Sequence, residues 1–132
     1  MKVFQENLFY SREHIWVHVD GDIATIGVTD YAQELLGEVV EIELPTAGTI
    51  VERDEVFGSL EATKGIVELI APLTGDIISV NEDLTDDIGV LNSDPQDTGW
   101  LIVIEIKDAT EIHELLLPDE YHDFVTEELG IG

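Results

Sequence analysis

Lys64 is the residue of this 132-residue chain whose type and position most directly suggest chemistry. It is one of five cationic side chains, three Lys and two Arg, in a chain with 30 Asp and Glu. It lies in Glu61-Ala62-Thr63-Lys64-Gly65, between two apolar runs. Two strand-like runs joined by a short turn containing Gly predict a β-hairpin with the lysine at its tip. A single lysine displayed on a tight turn suggests a covalent attachment point, and therefore a carrier rather than a catalyst.

Other residues that could do chemistry form no convincing site. His14 and His18 are spaced as two ligands on one strand face could be, but no third ligand is evident, so we expect no metal site. Three carboxylates crowd one stretch at residues 83–87, but their spacing misses the pattern of a calcium loop. The chain has no cysteine, which excludes disulfides, thiolate metal sites and a cysteine nucleophile.

Periodicity and turn residues predict the elements that must position Lys64. Predicted strands cover residues 15–19, 23–28, 38–44, 56–62, 66–71, 76–80 and 100–106. We expect a short helix at 31–36 ended by Gly37, a surface loop at 81–98, and helices at 109–117 and 119–129. Many short strands with turn signals indicate a mainly β fold, a small sandwich or barrel with helices appended. The length fits a single domain over 1–132, with a core of about 10–107 and a C-terminal helical segment of about 108–129.

The second C-terminal helix has an apolar stripe that is expected to pack on the β core. Its members are Tyr121, Phe124, Val125 and Leu129. Their helical spacing is that of a packed face, and we expect no ligand there.

The net charge of −25 limits the possible partners. Such a surface repels nucleic acid and anionic lipid and favours basic protein surfaces. We interpret the acidity chiefly as adaptation to a salty or alkaline environment, with steering of partners as an added consequence. The start of the chain lacks a signal-peptide core, and no run of 18 apolar residues exists. We therefore expect no membrane association and a cytoplasmic location.

Several segments together resemble one known family, the H protein of the glycine cleavage system. The matching segments, in chain order, are Glu13-His14-Ile15-Trp16-Val17, Ile26-Gly27-Val28-Thr29-Asp30-Tyr31-Ala32-Gln33, Leu36-Gly37-Glu38-Val39-Val40, Glu43-Leu44-Pro45, the Lys64 hairpin, Ala71-Pro72-Leu73-Thr74-Gly75-Asp76, Val80-Asn81-Glu82 and Gly99-Trp100-Leu101. The resemblance spans roughly residues 10–125 without large gaps. It implies a barrel-sandwich hybrid fold of the lipoyl and biotinyl hairpin type, and a non-catalytic carrier.

The same resemblance implies that Lys64 carries lipoate in amide linkage, attached by a lipoate-protein ligase. Thr63 and Gly65 flank the attachment point directly. Glu61 looks like a recognition mark for the ligase, although it and Glu68 can equally be read as gatekeeper charges that keep an exposed hairpin soluble. For Glu61 the two interpretations stay open; for Glu68 the gatekeeper interpretation is favoured.

One departure from the family concerns the cleft that receives the loaded arm, to which Glu13, His14 and Ile15 are assigned. The family usually has His-Glu-Trp where this chain has His14-Ile15-Trp16. An aminomethylated arm carries an amine that needs an acceptor in a partly apolar cleft. Ile15 supplies none, and Glu68 compensates only in part.

A second departure surrounds the lysine, where the family usually reads Glu-Ser-Val-Lys-Ala and this chain has Thr63-Lys64-Gly65. Both departures favour the H-like lipoate-binding proteins that work with a heterodisulfide-reductase-like complex in bacterial sulfur oxidation. The alternative is a genuine H protein that carries aminomethyl between glycine decarboxylase and aminomethyltransferase and is reoxidised by dihydrolipoyl dehydrogenase. A biotinyl carrier, which has Met on both sides of its lysine, and an unmodified H-like interaction domain are further rivals.

Overall fold

The computed structural model describes residues 7–96 and 98–129, with the side chains of Gln33, Glu34, Thr85 and Leu129 outside that description. Its strands are β1 (Leu8–Tyr10), β2 (Ile15–Asp20), β3 (Ile23–Val28), β4 (Val39–Glu43), β5 (Ile50–Val51), β6 (Val56–Ala62), β7 (Gly65–Ile70), β8 (Gly75–Val80) and β9 (Ile102–Ile106). Its helices are α1 (Asp30–Leu36), α2 (Asp83–Asp86), α3 (Gly89–Ser93), a 3-10 helix (Ala109–Glu114) and α4 (Pro118–Leu129).

The strands form two antiparallel sheets that enclose one core. The larger sheet has the order β1-β2-β3-β9-β8-β5, and the smaller has the order β4-β6-β7. Ile15 and Val17 of β2 point into this core, whereas Trp16 between them lies on the opposite face in a second buried cluster. The largest wholly buried aliphatic side chains of the strands are Ile15, Ile26, Leu60, Leu69, Ile77, Ile102 and Ile104. The predicted mainly β fold with a short internal helix is confirmed.

Residues 81–98 differ from the surface loop that the sequence predicts. This stretch contains α2 and α3, which bury Leu84 and Leu91, both 0% exposed. The side-chain amide of Asn92 in α3 donates to the Val39 carbonyl at 2.9 Å and accepts from the Val39 N–H at 2.8 Å. A polar stretch can therefore be structured, because two leucines anchor it and an asparagine amide pairs with a buried strand end.

Two further differences concern short elements. The helix predicted at 109–117 is a 3-10 helix over Ala109–Glu114. Its N-cap is Asp108, whose side chain accepts a hydrogen bond from the Thr110 N–H. Strands β1 and β5 were not predicted, because three and two residues are too few to show a period.

The apolar face of α4 packs on the β1 and β2 end of the larger sheet. Tyr121 stacks on Tyr10 with ring centroids 4.4 Å apart, and Phe124 and Val125 join the same cluster as Trp16. The predicted packing is confirmed for these three helix residues, whereas the Leu129 side chain lies outside the described residues. Within the described part of the chain, no helix has the length and apolarity needed to cross a bilayer.

Candidate functional site

Lys64 lies at the tip of the β6–β7 hairpin and is exposed to solvent. Ala62 and Gly65 are the last paired residues of the two strands, which leaves Thr63 and Lys64 as a two-residue turn. The backbone of Gly65 has φ +144°, a conformation that residues with a side chain rarely adopt. The predicted hairpin with the lysine at its tip is confirmed, and Gly65 contributes through its backbone.

Hydrogen bonds hold the hairpin tip against the C-terminal end of α1. The Thr63 N–H donates to the Glu38 carbonyl at 3.0 Å, and the Lys64 N–H donates to the Leu36 carbonyl at 3.1 Å. The Thr63 hydroxyl also donates to the Leu36 carbonyl, at 3.4 Å. Both residues of the turn are therefore held through their backbone while the Lys64 side chain stays accessible.

Gly37 lies between these two acceptors and makes the close approach possible. Its φ is +79°, and a Cβ built on it would overlap the hydroxyl oxygen of Thr63. The same Cβ would lie 3.7 Å from Cγ and 3.8 Å from Cε of Lys64. The lysine stem thus runs over the bare backbone of Gly37.

A cleft of about 240 Å³ lies along the β7 strand, between that strand, the start of β2 and α1. Its lining is mainly aliphatic, with three ionisable side chains. The lining residues are Glu13, His14, Ile15, Val28, Ala32, Leu35, Leu36, Leu60, Val67, Glu68 and Leu69. Leu36 lines the cleft, and its carbonyl accepts the hydrogen bond from the Lys64 N–H, so this residue joins the cleft to the hairpin tip.

His14 connects this cleft to the C-terminal helix. Its backbone has φ +66°, its Nδ1 lies 2.9 Å from the Tyr121 hydroxyl, and its Nε2 lies 3.4 Å from a Glu128 carboxylate oxygen. The Tyr121 hydroxyl also lies 2.8 Å from the hydroxyl of Thr29, which accepts from the Ala32 N–H in the first turn of α1. Burial raises the pKa of Tyr121 to about 12, against the opposing effect of the Thr29 hydrogen bond.

The sequence-derived site residues fall into two groups. Glu13, His14, Ile15 and Glu68 surround the cleft, and Ile15 is 1% exposed. Glu61 is not among the lining residues; it is exposed on β6, opposite Glu41 of β4 and Ile66 of β7. Glu61 and Glu68 therefore have different surroundings.

Sequence reasoning missed the contributions of Gly37 and Tyr121 to this site. From the sequence, Gly37 indicates only the end of a helix, whereas in the structure its lack of a side chain also leaves room for the Thr63 hydroxyl. The hydroxyl of Tyr121 in an otherwise apolar stripe was the available signal, since a buried hydroxyl needs a partner.

Outside the cleft, the described residues contain a depression lined by charged side chains but no arrangement of metal ligands. Both arginines line a separate depression of about 210 Å³, where Arg53 pairs with Glu114 at 2.7 Å. Four carboxylates share that depression, so its charge is unsuited to an anion. Among the residues that the structure describes, no group of three or more His, Cys, Asp or Glu is arranged to hold a metal ion.

Comparison with known proteins gives one consistent family. The profile of the glycine cleavage H-protein matches residues 8–128. The glycine cleavage system H protein of Halalkalibacterium halodurans is 45% identical over 128 residues, covering 97% of this chain and 100% of the relative. That of Geobacillus thermodenitrificans is 46% identical over 122 residues, covering 92% and 96%.

Glycine cleavage system H protein 4 of Aquifex aeolicus is 40% identical over 119 residues, covering 90% of this chain and 70% of the relative. The crystal structure of the H protein of Mycobacterium marinum superposes with a TM-score of 0.81 at 32% identity, covering 94% and 97% of the two chains. The barrel-sandwich expectation is thereby confirmed. These matches support the glycine cleavage alternative over the sulfur-oxidation preference, and the chain belongs to the glycine cleavage H-protein family.

Proposed function

We propose that this protein is the lipoyl carrier of a glycine cleavage system, with lipoate attached in amide linkage to Lys64. H proteins are non-catalytic carrier components of that system, so the chain is not an enzyme. The observation that carries the proposal is an exposed lysine, held by its backbone on a two-residue turn and hydrogen-bonded to Leu36, which lines an aliphatic cleft.

The dimensions of the cleft fit such an arm. A lipoyl-lysine arm measures on the order of 12–14 Å from ordinary bond lengths. The cleft has a volume of about 240 Å³ and a mainly aliphatic lining, which suits a flexible apolar chain. Its aliphatic walls match the hydrocarbon part of the arm.

The residues of this chain display, shelter and release the arm. When bound, the lipoyl group supplies a dithiolane that opens, accepts a group or electrons, and closes again. The turn at Thr63 and Lys64 presents it to successive enzymes at a high effective concentration. Glu13 and Glu68 border the cleft and can accept hydrogen bonds from an amine, whereas Ile15 cannot.

The partners follow from this role. We expect a lipoate-protein ligase to load Lys64, and glycine decarboxylase, aminomethyltransferase and dihydrolipoyl dehydrogenase to use the arm. The preference for sulfur carriage depended on Ile15 and on the residues beside Lys64. The three ionisable residues around the same cleft weaken the preference for sulfur carriage, because they show that the lining is not purely apolar.

Intact mass spectrometry tests the attachment site. The protein is incubated with a lipoate-protein ligase, ATP and lipoate, beside Lys64→Ala and the matched control Lys107→Ala, whose side chain is 52% exposed and paired with Asp76. One lipoyl increment in the wild type and in Lys107→Ala, and none in Lys64→Ala, is expected. An increment that survives in Lys64→Ala refutes the site. A biotin increment in a parallel incubation with a biotin-protein ligase, ATP and biotin, together with none from lipoate, would indicate the rival carrier.

A turnover assay tests the pathway. The lipoylated protein is offered to glycine decarboxylase, aminomethyltransferase and dihydrolipoyl dehydrogenase, with tetrahydrofolate as the one-carbon acceptor and NAD+ as the oxidant, and glycine-dependent release of carbon dioxide is measured. Efficient turnover is expected. Turnover no higher than with the unmodified protein would return the preference to sulfur carriage.

A further inference from the structure

The outer strand of the smaller sheet has one edge without a neighbouring strand. In the described part of the chain, β7 pairs with β6 alone. The Ala71 N–H, directly after β7, donates to the Glu55 carbonyl at 2.8 Å, so Ala71 faces the β6 side. Because backbone bonding alternates along an antiparallel strand, Ile66, Glu68 and Ile70 direct their N–H and C=O groups the other way. The open edge therefore presents backbone donors and acceptors along β7.

The same edge borders the aliphatic cleft of about 240 Å³. Odd-numbered residues of β7 face the core: Leu69 is 2% exposed, and Val67 lines the cleft with it. Even-numbered residues face outward, where Ile66 is 71% exposed. A strand laid against this edge would therefore place alternate side chains in the cleft, and the others beside Ile66 and Glu68.

The charge around the edge specifies the chemistry of such a strand. Glu68 lies on the edge itself, Glu13 borders the same cleft, and the whole chain has a net charge of −25. A second copy of this chain would bring further carboxylates to the edge, whereas a basic segment would neutralise those already there. Recognition of an extended peptide by an open strand uses backbone hydrogen bonds together with pockets for alternate side chains. The edge therefore fits an extended segment in which aliphatic side chains alternate with Lys or Arg.

The cleft cannot hold such aliphatic side chains and the arm of Lys64 at the same time. Both need the lining that Val67 and Leu69 form. A segment that binds along β7 thus displaces an arm that lies in the cleft, and the two compete for one site. An enzyme that withdraws a loaded arm from this shelter requires such a competitor. In the proposed function that enzyme is the aminomethyltransferase.

We propose that the open edge of β7 receives an extended basic segment of the aminomethyltransferase as an added strand. The inward aliphatic side chains of this segment take the place of the arm in the cleft, while a Lys or Arg on its outward face pairs with Glu68. This inference rests on the proposed function, since it assumes that the arm is attached to Lys64 and carries aminomethyl. It adds the means by which the arm leaves the cleft, which is replacement by a strand that pairs with the backbone of β7.

Amide hydrogen exchange tests the strand pairing independently of turnover. Exchange is followed by NMR in the lipoylated protein, first alone and then saturated with aminomethyltransferase. We expect the Ile66 and Glu68 amides to exchange rapidly in the free protein and about tenfold more slowly in the complex. Unchanged rates in the saturated complex would refute the added strand. The same slowing in the protein alone, together with a dimer in sedimentation analysis, would assign the edge to a second copy instead.

Two substitutions at one position separate the backbone contribution from the charge. Glu68→Pro removes the outward N–H at an edge position, where proline is tolerated, whereas Glu68→Thr removes the same carboxylate and keeps the N–H. Calorimetry with the aminomethyltransferase should give a Kd about tenfold higher for Glu68→Pro than for Glu68→Thr. Glu68→Thr should also weaken the dependence of Kd on NaCl concentration.

Three outcomes of these measurements would overturn the inference, and each is distinct. Thermal unfolding and the amide exchange pattern of β6 first verify that the hairpin of each variant is folded. Equal Kd values for the two variants would refute backbone pairing, and an unaltered salt dependence in Glu68→Thr would refute the basic segment. A wild type that accepts no lipoate in the mass experiment would remove the proposed function as well, whereas a lipoylated protein that supports turnover with unprotected edge amides would remove the added strand alone.

Discussion

The hydroxyl oxygen of Thr63 occupies the space in which a side chain on Gly37 would begin. This contact joins the end of α1 to the hairpin tip, because the carbonyls on either side of Gly37 accept the N–H groups of Thr63 and Lys64. The left-handed backbone of Gly37 turns those two carbonyls toward the hairpin. The placement of Lys64 therefore depends on a residue 27 positions earlier.

Gly37→Ala should be destabilising by about 1–3 kcal/mol, because it combines a positive φ with an overlap at Thr63. Gly21→Ala is the matched control: its φ is +65° but nothing lies within 4 Å of the added Cβ. Urea unfolding measures both. In a Thr63→Ala background the effect of Gly37→Ala should shrink to that of the control. If Gly37→Ala lowered stability equally in both backgrounds, the overlap with Thr63 would have to be relieved without any loss of stability.

Ile15→Glu should lower stability by about 2–4 kcal/mol, since a carboxylate would replace a side chain that is 1% exposed. It should nevertheless slow the loss of the amine from the aminomethyl-loaded protein, because it adds a counter-charge to the cleft. Release of formaldehyde in the absence of acceptor reports that loss, with Ile15→Leu as the control. Equal release rates in the two variants would contradict the role assigned to Ile15.

Asn92→Ala should lower the free energy of unfolding by about 2–4 kcal/mol, because it leaves the buried N–H and carbonyl of Val39 without the Asn92 amide. Val39 pairs with Ala62 beside the hairpin tip, so hydrogen exchange at the Lys64 amide should also accelerate. Ser93→Ala, on the exposed side of the same helix, should change stability by less than about 0.5 kcal/mol. Similar effects for both variants would argue against the amide pairing.

The free energy of unfolding should fall at alkaline pH because Tyr121 ionises. Burial raises its pKa from 10.0 to about 12, so between these values the phenol ionises in the unfolded chain before it does in the folded one. The contribution is complete below pH 10 and is lost as the pH rises through 12. Tyr121→Phe should flatten this decline in denaturant titrations, whereas its lost hydrogen bonds lower stability at every pH. An unchanged slope above pH 10 would refute the linkage.

Salt should stabilise the protein, because its net charge is −25. The Debye length falls from about 10 Å at 0.1 M to about 3 Å at 1 M, which screens repulsion among surface carboxylates. Calorimetry should show the unfolding midpoint rising by several degrees with NaCl and much less with sucrose of equal osmolality. A matching rise in sucrose would assign the effect to solute exclusion.

The hairpin and its lysine could be predicted because their signals are local. The apolar runs and the glycine after the turn lie within residues 56–71, and the scarcity of other lysines is visible from the composition of the chain. Helices α2 and α3 could not be predicted, since their stability depends on two buried leucines and on hydrogen bonds between the Asn92 side chain and the Val39 backbone, 53 positions apart.

The cleft, like helices α2 and α3, could not be predicted from local signals. Its residues at 13–15 and Glu68 are more than 50 positions apart, and only the family resemblance suggested that the arm involves them. The contact between His14 and Tyr121 spans 107 positions and has no periodic signature. Periodicity identifies which face of an element is buried, but it does not identify the distant residue against which that face packs.

The cleft follows the edge of β7 that has no neighbouring strand in the described chain. A guest lying there fills the space that an additional strand from another molecule would need. We therefore expect a loaded arm that lies in the cleft to suppress self-association of the protein. The extent of self-association in solution should then depend on whether the arm carries a group.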